Sequence, residues 1–502
     1  MANTRHAKMK FGAFLAPHHP IGESFTLQLQ GDLELVALMD SLGFDEFWCG
    51  EHHSTGWETI ASPELFLAAA AERTERIRLG TGVVSLPYHH PFHVAQRMVQ
   101  LDHQSRGRAI FGSGPGALPS DAYTLEVDPM LLRDRQDEAM GVIRRLLDGD
   151  ERFTYECDWF TMRDAKLQVL PIQSHLPFAV ASSVSPSGMT LAGKHGTGVL
   201  SVASTSTAGL AALPLQWSYA TESAAKHGNE VDRADWRVVL NWHIAETRDK
   251  AREEARDGLL RWNNEYTVGT LSAGQGNIYK TADEAVDAMA FGKGSAMVIG
   301  TVDDLVERIL ELTEVTGGFG AVLGFVHDWT TRTNNLKSWD LVARYVIPKV
   351  NNELGPMRDS NLYVRENRDV WSRATKAVVA KIIENPAAHA ALEKQQAATR
   401  KAQTAVRLAA HSAMDGETSP ASKRQTAAAQ KTTRKKSASK STASTKAARK
   451  KVVSNKTASN KTASKKTASK KTVKKATTRK TVNRKPAGKK AAVRKSTKTT
   501  RS

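Results

Sequence analysis

The 502-residue chain has two cysteines, Cys49 and Cys157. Two thiols build neither a disulfide framework nor a cysteine zinc site, and they suit a reducing compartment. No stretch approaches the ~18 consecutive apolar residues that a membrane span requires. Residues 1–10 carry no apolar core of the secretory kind. The expectation is a soluble, cytoplasmic protein. A G-x-G-x-x-G turn opening a helix after the first strand is missing, which weighs against an open dinucleotide-binding sheet. The most uneven absences fall at the end of the chain: residues 421–502 contain no Asp, Glu, Phe, Trp or Tyr.

The same 421–502 segment holds 29 of the chain's 71 Lys and Arg. Residues 1–420 therefore keep 42 basic and all 52 acidic residues, a net charge of −10 against +19 for the whole chain. The chain is two objects, a mildly acidic body and a basic tail. Lys456, Lys461 and Lys466 each open a five-residue unit, Lys-Thr-Ala-Ser followed by Asn or Lys. Such a segment buries too little apolar surface to offset its ordering entropy, so disorder in the free chain is expected. It resembles the C-terminal domains of linker histones and of mycobacterial nucleoid proteins. Cations two to four residues apart neutralise successive phosphates. Without aromatic side chains the segment offers no base-stacking platform, and sequence readout is not expected. The reading is nonspecific, salt-sensitive nucleic-acid binding with nucleoid association; a solubilising or membrane-surface polycation is the alternative. Phosphorylation of the interspersed Ser and Thr would weaken binding.

The body alternates short apolar strands with helical patterns. Strands are expected at 11–15, 46–49, 77–79 with 82–85, 109–112, 178–181, 199–202, 236–245 and 321–325. Helices are expected at 29–42, 63–73, 93–103, 131–148, 188–195 and 302–316. In the first, Leu35, Leu38, Met39 and Leu42 share one face, and Gly43 ends it. Near-eightfold strand–helix repetition favours a closed (β/α)8 barrel of the TIM type over an open doubly wound sheet. Chemistry in such a barrel sits on the loops that follow the strands. The domains expected are a barrel at 9–354, a helical extension at 355–412 and the basic tail at 413–502.

Four strand-end clusters stand out. Glu51-His52-His53 follows the second strand. Adjacent histidines on extended chain point opposite ways, so one metal ion rarely takes both. No metal is assigned; one imidazole handling protons, or two that only fill the mouth, are the readings. His89-His90-Pro91 with His93 follows the third strand and either serves the site or caps the next helix. Gly112-Ser-Gly-Pro-Gly116 lets the backbone approach a ligand. Ala181-Ser-Ser-Val-Ser-Pro-Ser-Gly188 leads into a helix, where hydroxyls and free N–H groups suit a phosphate or a plain N-cap.

In this order the pieces resemble the bacterial luciferase-like monooxygenases over residues 9–350. The matching segments are Phe11-Gly-Ala-Phe14, Gly43-Phe-Asp-Glu46, Trp48-Cys-Gly-Glu-His-His53, Arg78-Leu-Gly-Thr-Gly-Val83, Leu101-Asp102 and Arg106-Gly-Arg108. Gly112–Gly116, Ala181–Gly188, Val298-Ile-Gly-Thr301 and Val346-Ile-Pro348 continue them. Leu86-Pro-Tyr-His-His-Pro91 and Pro115-Gly-Ala-Leu-Pro-Ser-Asp121 look most like the limonene-monooxygenase branch.

The resemblance implies reduced FMN in the barrel mouth, supplied by a separate flavin reductase, with O2 and a small apolar organic compound as co-substrates. It assigns His52 proton handling beside the oxygenated flavin. It puts the cofactor against Ala16, Glu51, Gly82, Val83, Gly114, Ser183, Ser185 and Ser187, with the phosphate on the three serines, and makes the Gly82–Val83 peptide cis. His53 and His90 fall in the substrate pocket. A homo-oligomer is also implied. Luciferase itself carries a Cys-Arg pair where this chain has Gly114-Pro115, so the phosphate's cation comes from elsewhere and light emission is not implied. Two alternatives stay open: a deazaflavin-dependent dehydrogenase on the same barrel, and a nucleoid-associated protein with a non-catalytic barrel.

Overall fold

The computed structural model describes residues 8–415 apart from 272, 273, 275 and 292–294. Eight strands form the centre: β1 Lys10–Leu15, β2 Glu46–Cys49, β3 Arg78–Thr81, β4 Ala109–Gly114, β5 Phe178–Ser182, β6 Gly198–Ser201, β7 Trp236–Ile244 and β8 Ala321–Phe325. Each pairs in parallel with the next, from β1 on β2 round to β7 on β8. Lys10 of β1 then aligns with Ala321 of β8, and the ring closes. The chain is a closed, eight-stranded parallel barrel with helical crossovers, as the strand–helix alternation implies.

Period-two alternation explains why these strands bury both faces. Phe11, Ala13 and Leu15 of β1 and Phe47 and Cys49 of β2 pack outward against the helices. Phe14 and Trp48 point inward with Ile110, Ala179, Leu200, Val239 and Leu323. The Trp48 indole needs room that only glycine leaves. A Cβ on Gly80 would lie 2.5 Å from it, and one on Gly112 would lie 2.8 Å away.

The crossover helices include Phe25–Leu42, Pro63–Ala71, Pro91–Gln104, Leu132–Leu147, Ser187–His195 and Val302–Thr316. Gly43, at φ 85°, closes the first, and a Thr301–Asp304 capping box opens the last. The strand expected at 77–79 with 82–85 is two strands: β3 ends at Thr81, and Val84–Ser85 pairs on as a short separate strand. The cis peptide Gly82–Val83 lies between them.

Several elements lie outside the sequence expectation. An antiparallel hairpin, Phe153–Glu156 with Thr161–Ala165, sits in the β4–β5 connection. Helix Thr207–His227 contains Pro214. Helix Arg248–Arg261 runs into a π-helical segment, Trp262–Leu271. Met297–Gly300 extends the sheet beside β7.

The chain divides into two units between Arg368 and Asp369. Helix Gly355–Glu366 belongs to the first. The second contains helix Pro386–Asp415, which continues past residue 412. Of the basic tail expected at 413–502, residues 416–502 lie outside the described residues. Among the described residues no helix is long and apolar enough to cross a membrane.

Candidate active site

A cavity of about 1320 Å³ opens at the C-terminal ends of the strands. The strand ends and the loops after them line it: Ala16 after β1, Glu51, His52 and Glu58 after β2, Gly82 and Val83 after β3, Gly114 and Pro115 at the end of β4, and Ser183, Ser185 and Ser187 after β5. Asn241 of β7, Phe325 of β8 and the π-helical segment line it too, as do residues of the long β4–β5 connection such as Arg133. All nine residues expected to touch a cofactor or do chemistry therefore meet in one space.

His52 sits between two acids. Its Nδ1 is 3.2 Å from Asp121 Oδ2 and its Nε2 is 3.4 Å from Glu58 Oε2. Burial alone would lower the imidazole's pKa, but Asp121 and Glu58 outweigh it and hold His52 above the ordinary histidine value. Asp121 is kept in place by the His53 backbone N–H at 3.1 Å and by the Ser54 hydroxyl. The ring is thus held toward its protonated form, as a proton donor rather than a free base.

Glu51 lies behind it, 3% exposed. It accepts from Ser85 N (2.9 Å) and pairs with His53 Nε2 (2.8 Å) and His89 Nε2 (2.7 Å). Burial raises its pKa, but the two imidazoles and the N–H win, so it stays ionised. The neighbours His52 and His53 thus turn to different carboxylates. His53 is absent from the cavity lining, its ring being taken by Glu51. His90 is absent too: it is the N-cap of helix Pro91–Gln104, accepts from Phe92 N, and packs edge-on against Phe160. Of its two readings, helix cap or site residue, the geometry shows the cap.

At the other end of the cavity, helix Ser187–His195 starts with no side-chain cap. Ser185 and Ser187 hydroxyls are 2.8 Å apart, and Arg133 Nε donates to Ser187 Oγ at 3.2 Å. Arg133 comes from the start of helix Leu132–Leu147 and also lines the cavity. Hydroxyls, free helix N–H groups and one guanidinium make a donor set suited to a phosphate monoester. The cation that the Gly114-Pro115 loop lacks is present here from a different element.

An aromatic wall faces this polar end. Phe14, Trp262, Tyr266 and Phe325 line the cavity. The π-helical pattern spaces turns by i→i+5 bonds, which brings Trp262, Tyr266, Thr267 and Leu271 onto the cavity side. Tyr266 Oη donates to Glu58 Oε1 at 2.6 Å, and its ring stacks on His18 at 4.9 Å. Glu58, Asp121, Arg133 and Tyr266 were not singled out as site residues from sequence. Asp121 stands at the end of the limonene-monooxygenase-like stretch with no local sign of its role, and Tyr266 meets Glu58 across 208 positions.

The family model described as Luciferase-like monooxygenase matches residues 9–318. The chain is 47% identical over 365 residues to 4-hydroxyprotoasukamycin monooxygenase of Streptomyces nodosus subsp. asukaensis, covering 72% of this chain and 97% of that protein. It is 48% identical over 364 residues to limonene 1,2-monooxygenase of Rhodococcus erythropolis, covering 72% and 92%. Among solved structures, the FMN complex of the type II Baeyer–Villiger enzyme 3,6-diketocamphane monooxygenase from Pseudomonas putida matches with a TM-score of 0.59 at 27% identity, over 68% of this chain and 99% of that one. The chain belongs to the luciferase-like monooxygenase family and is an enzyme of the monooxygenase class.

Proposed function

We propose that the cavity binds reduced FMN and that the enzyme uses O2 to oxygenate a small, largely apolar organic compound. The observation that carries this is the division of one cavity into a phosphate-type donor set, a histidine held between two carboxylates and an aromatic wall. Bound reduced FMN supplies the electrons that send one oxygen atom to the substrate and the other to water. Ser183, Ser185, Ser187, Arg133 and the N–H groups of helix Ser187–His195 hold its phosphate. Ala16, Gly82, Val83 and Gly114 flank the ring, with Glu51 fixing the loop behind. His52 holds a proton at the reacting end. The aromatic wall excludes water and receives the substrate.

The relatives support the substrate class: limonene is a hydrocarbon, and the FMN complex belongs to a monooxygenase of diketocamphane. A separate flavin reductase supplies the reduced cofactor, and the barrel assembles as a homo-oligomer. The basic tail binds nucleic acid nonspecifically and places the enzyme at the nucleoid.

The test is anaerobic titration of the full chain with reduced FMN, then mixing with O2 and a monocyclic terpene. Tight binding, a transient oxygenated-flavin absorbance and an oxygenated product support the reading. Binding of reduced deazaflavin in preference to FMN, with no oxygen consumption, overturns it in favour of a dehydrogenase. His52→Ala should keep FMN affinity and lose coupling of oxygen to product; unchanged product yield would remove His52 from the reaction.

A further inference from the structure

We infer that Glu58 is a positioning residue that shares one proton with His52 and ties that proton to the aromatic wall through Tyr266. The inference rests on the reading of His52 as the proton-handling group of the cavity.

Glu58 is 4% exposed. One of its oxygens takes the Tyr266 hydroxyl at 2.6 Å. The other has no hydrogen-bond partner of good geometry among the described residues, and lies 3.4 Å from His52 Nε2. The opposite ring nitrogen faces Asp121 at 3.2 Å. A neutral imidazole carries a single N–H. With Nδ1–H directed to Asp121, the Nε2–Oε2 contact needs a proton of its own. It is present as imidazolium facing carboxylate or as imidazole facing carboxylic acid. Both forms hold the same number of protons, so the pair acts as one store.

The rest of the surroundings favours this. Burial raises the Glu58 carboxyl above the usual glutamate value. Burial and the Glu58 charge push the Tyr266 phenol far up, so it remains a donor and never removes the shared proton. His18, stacked on Tyr266, is pushed down to about 4 by burial and stays neutral. The charged groups on the other side are Asp121 and Glu51, and Glu51 is paired to His53 and His89. Tyr88, half-buried and raised to about 12 by burial and those two acids, is a neutral phenol. Asp121 is fixed by Ser54 and by the His53 N–H. The Glu58 side is therefore the looser contact, and Nε2 is the atom through which the proton leaves. When it passes to an acceptor oxygen in the cavity, neutral imidazole and carboxylate remain, and one proton from solvent restores the pair.

The experiment is a histidine-labelled NMR titration of the full chain without flavin. The His52 signal is assigned by its loss in His52→Asn. In Glu58→Gln the His52 midpoint should move down by about one pH unit or more, since an opposing charge has been removed. Glu58→Asp, which keeps the charge on a shorter arm, should fall between the two. A Glu58→Gln protein that melts as the parent does and shows an unmoved midpoint would overturn the inference; should it fail to fold, the Asp variant decides on the same criterion. Coupled product formation against pH gives the second readout: its alkaline limb should move down with the midpoint. If the parent forms no product, the monooxygenase reading fails by itself, because the titration needs no cofactor.

Discussion

Arg237 donates Nε to Glu46 Oε2 at 2.8 Å and Nη2 to Oε1 at 3.0 Å, with Glu46 fully buried and Arg237 2% exposed. The two come from β7 and β2, which are not neighbours in the ring, so the pair spans the barrel interior. Trp48 Nε1 donates to the same Oε2 at 2.9 Å. Both charges stand at the N-terminal ends of their strands, opposite the cavity. The polar end of the barrel interior is thus closed by one satisfied cluster, and the open end is left for chemistry.

Removing one partner leaves the other charged and buried. Arg237→Ala should destabilise the barrel by about 3–5 kcal/mol, more than replacement of both partners by apolar residues of similar volume. Chemical denaturation of the two variants compares them. The pH sign follows from Glu46. Burial raises its pKa, but Arg237 and Trp48 prevail and the net direction is down. Its contribution is present above the usual glutamate value and is lost as pH falls through the lower folded value. Equal midpoints for the single and double variants would refute the pair's importance.

His19 gives a prediction at the other side of neutrality. It bridges Asp328 (Nδ1, 2.6 Å) and Asp32 (Nε2, 3.0 Å), joining the loops after β1 and β8 to helix Phe25–Leu42. Burial lowers its pKa, but the two carboxylates override this and raise it to about 10. A raised folded pKa stabilises fully below the unfolded value of about 6.5 and is lost as pH rises to about 10. The urea midpoint should therefore decline through that window. Asp328→Asn should flatten the decline; the same slope in parent and variant would show that His19 does not carry it.

The barrel was legible because buried parallel strands keep their apolar runs: Phe11–Leu15 and Ala321–Phe325 are readable with no knowledge of partners. The π-helical segment was not, since Trp262, Tyr266 and Leu271 at spacings of four and five fit no period-3.6 face. Arg248–Arg261 is charged on most sides and buries only Ala251, Ala255 and Leu259, too few to mark a face. In the site, His52 and the serine loop stood at strand ends where barrel chemistry is sought. Their partners did not. Glu58 follows His52 by six residues with no periodic link, and Arg133 sits 54 positions from Ser187. Long-range pairing leaves no local signal.

Arg133 is the test of the phosphate end. Arg133→Ala should weaken FMN about tenfold and riboflavin hardly at all, because a charged hydrogen bond to the phosphate is lost while the ring contacts remain. Fluorescence titration with both flavins distinguishes this from general damage. Equal losses for the two would move the phosphate elsewhere.

The tail prediction turns on counterions. The 29 Lys and Arg of 421–502 have no acidic residue among them to compete with a polyanion, whereas 1–420 is net negative and should repel one. Deleting 416–502 should abolish retention of duplex DNA of any sequence and leave flavin affinity and oxygen consumption as they were. In the full chain, each neutralised phosphate releases a counterion, so affinity should fall steeply with salt. Six to ten engaged phosphates correspond to a loss of roughly 10³–10⁵-fold between 50 and 200 mM. Gel-shift titrations at three salt concentrations measure the slope. A truncated protein that still binds DNA with that slope would place the cationic surface on the barrel, against its charge. A full chain with little salt dependence would mean that the tail does not meet a polyanion through its lysines.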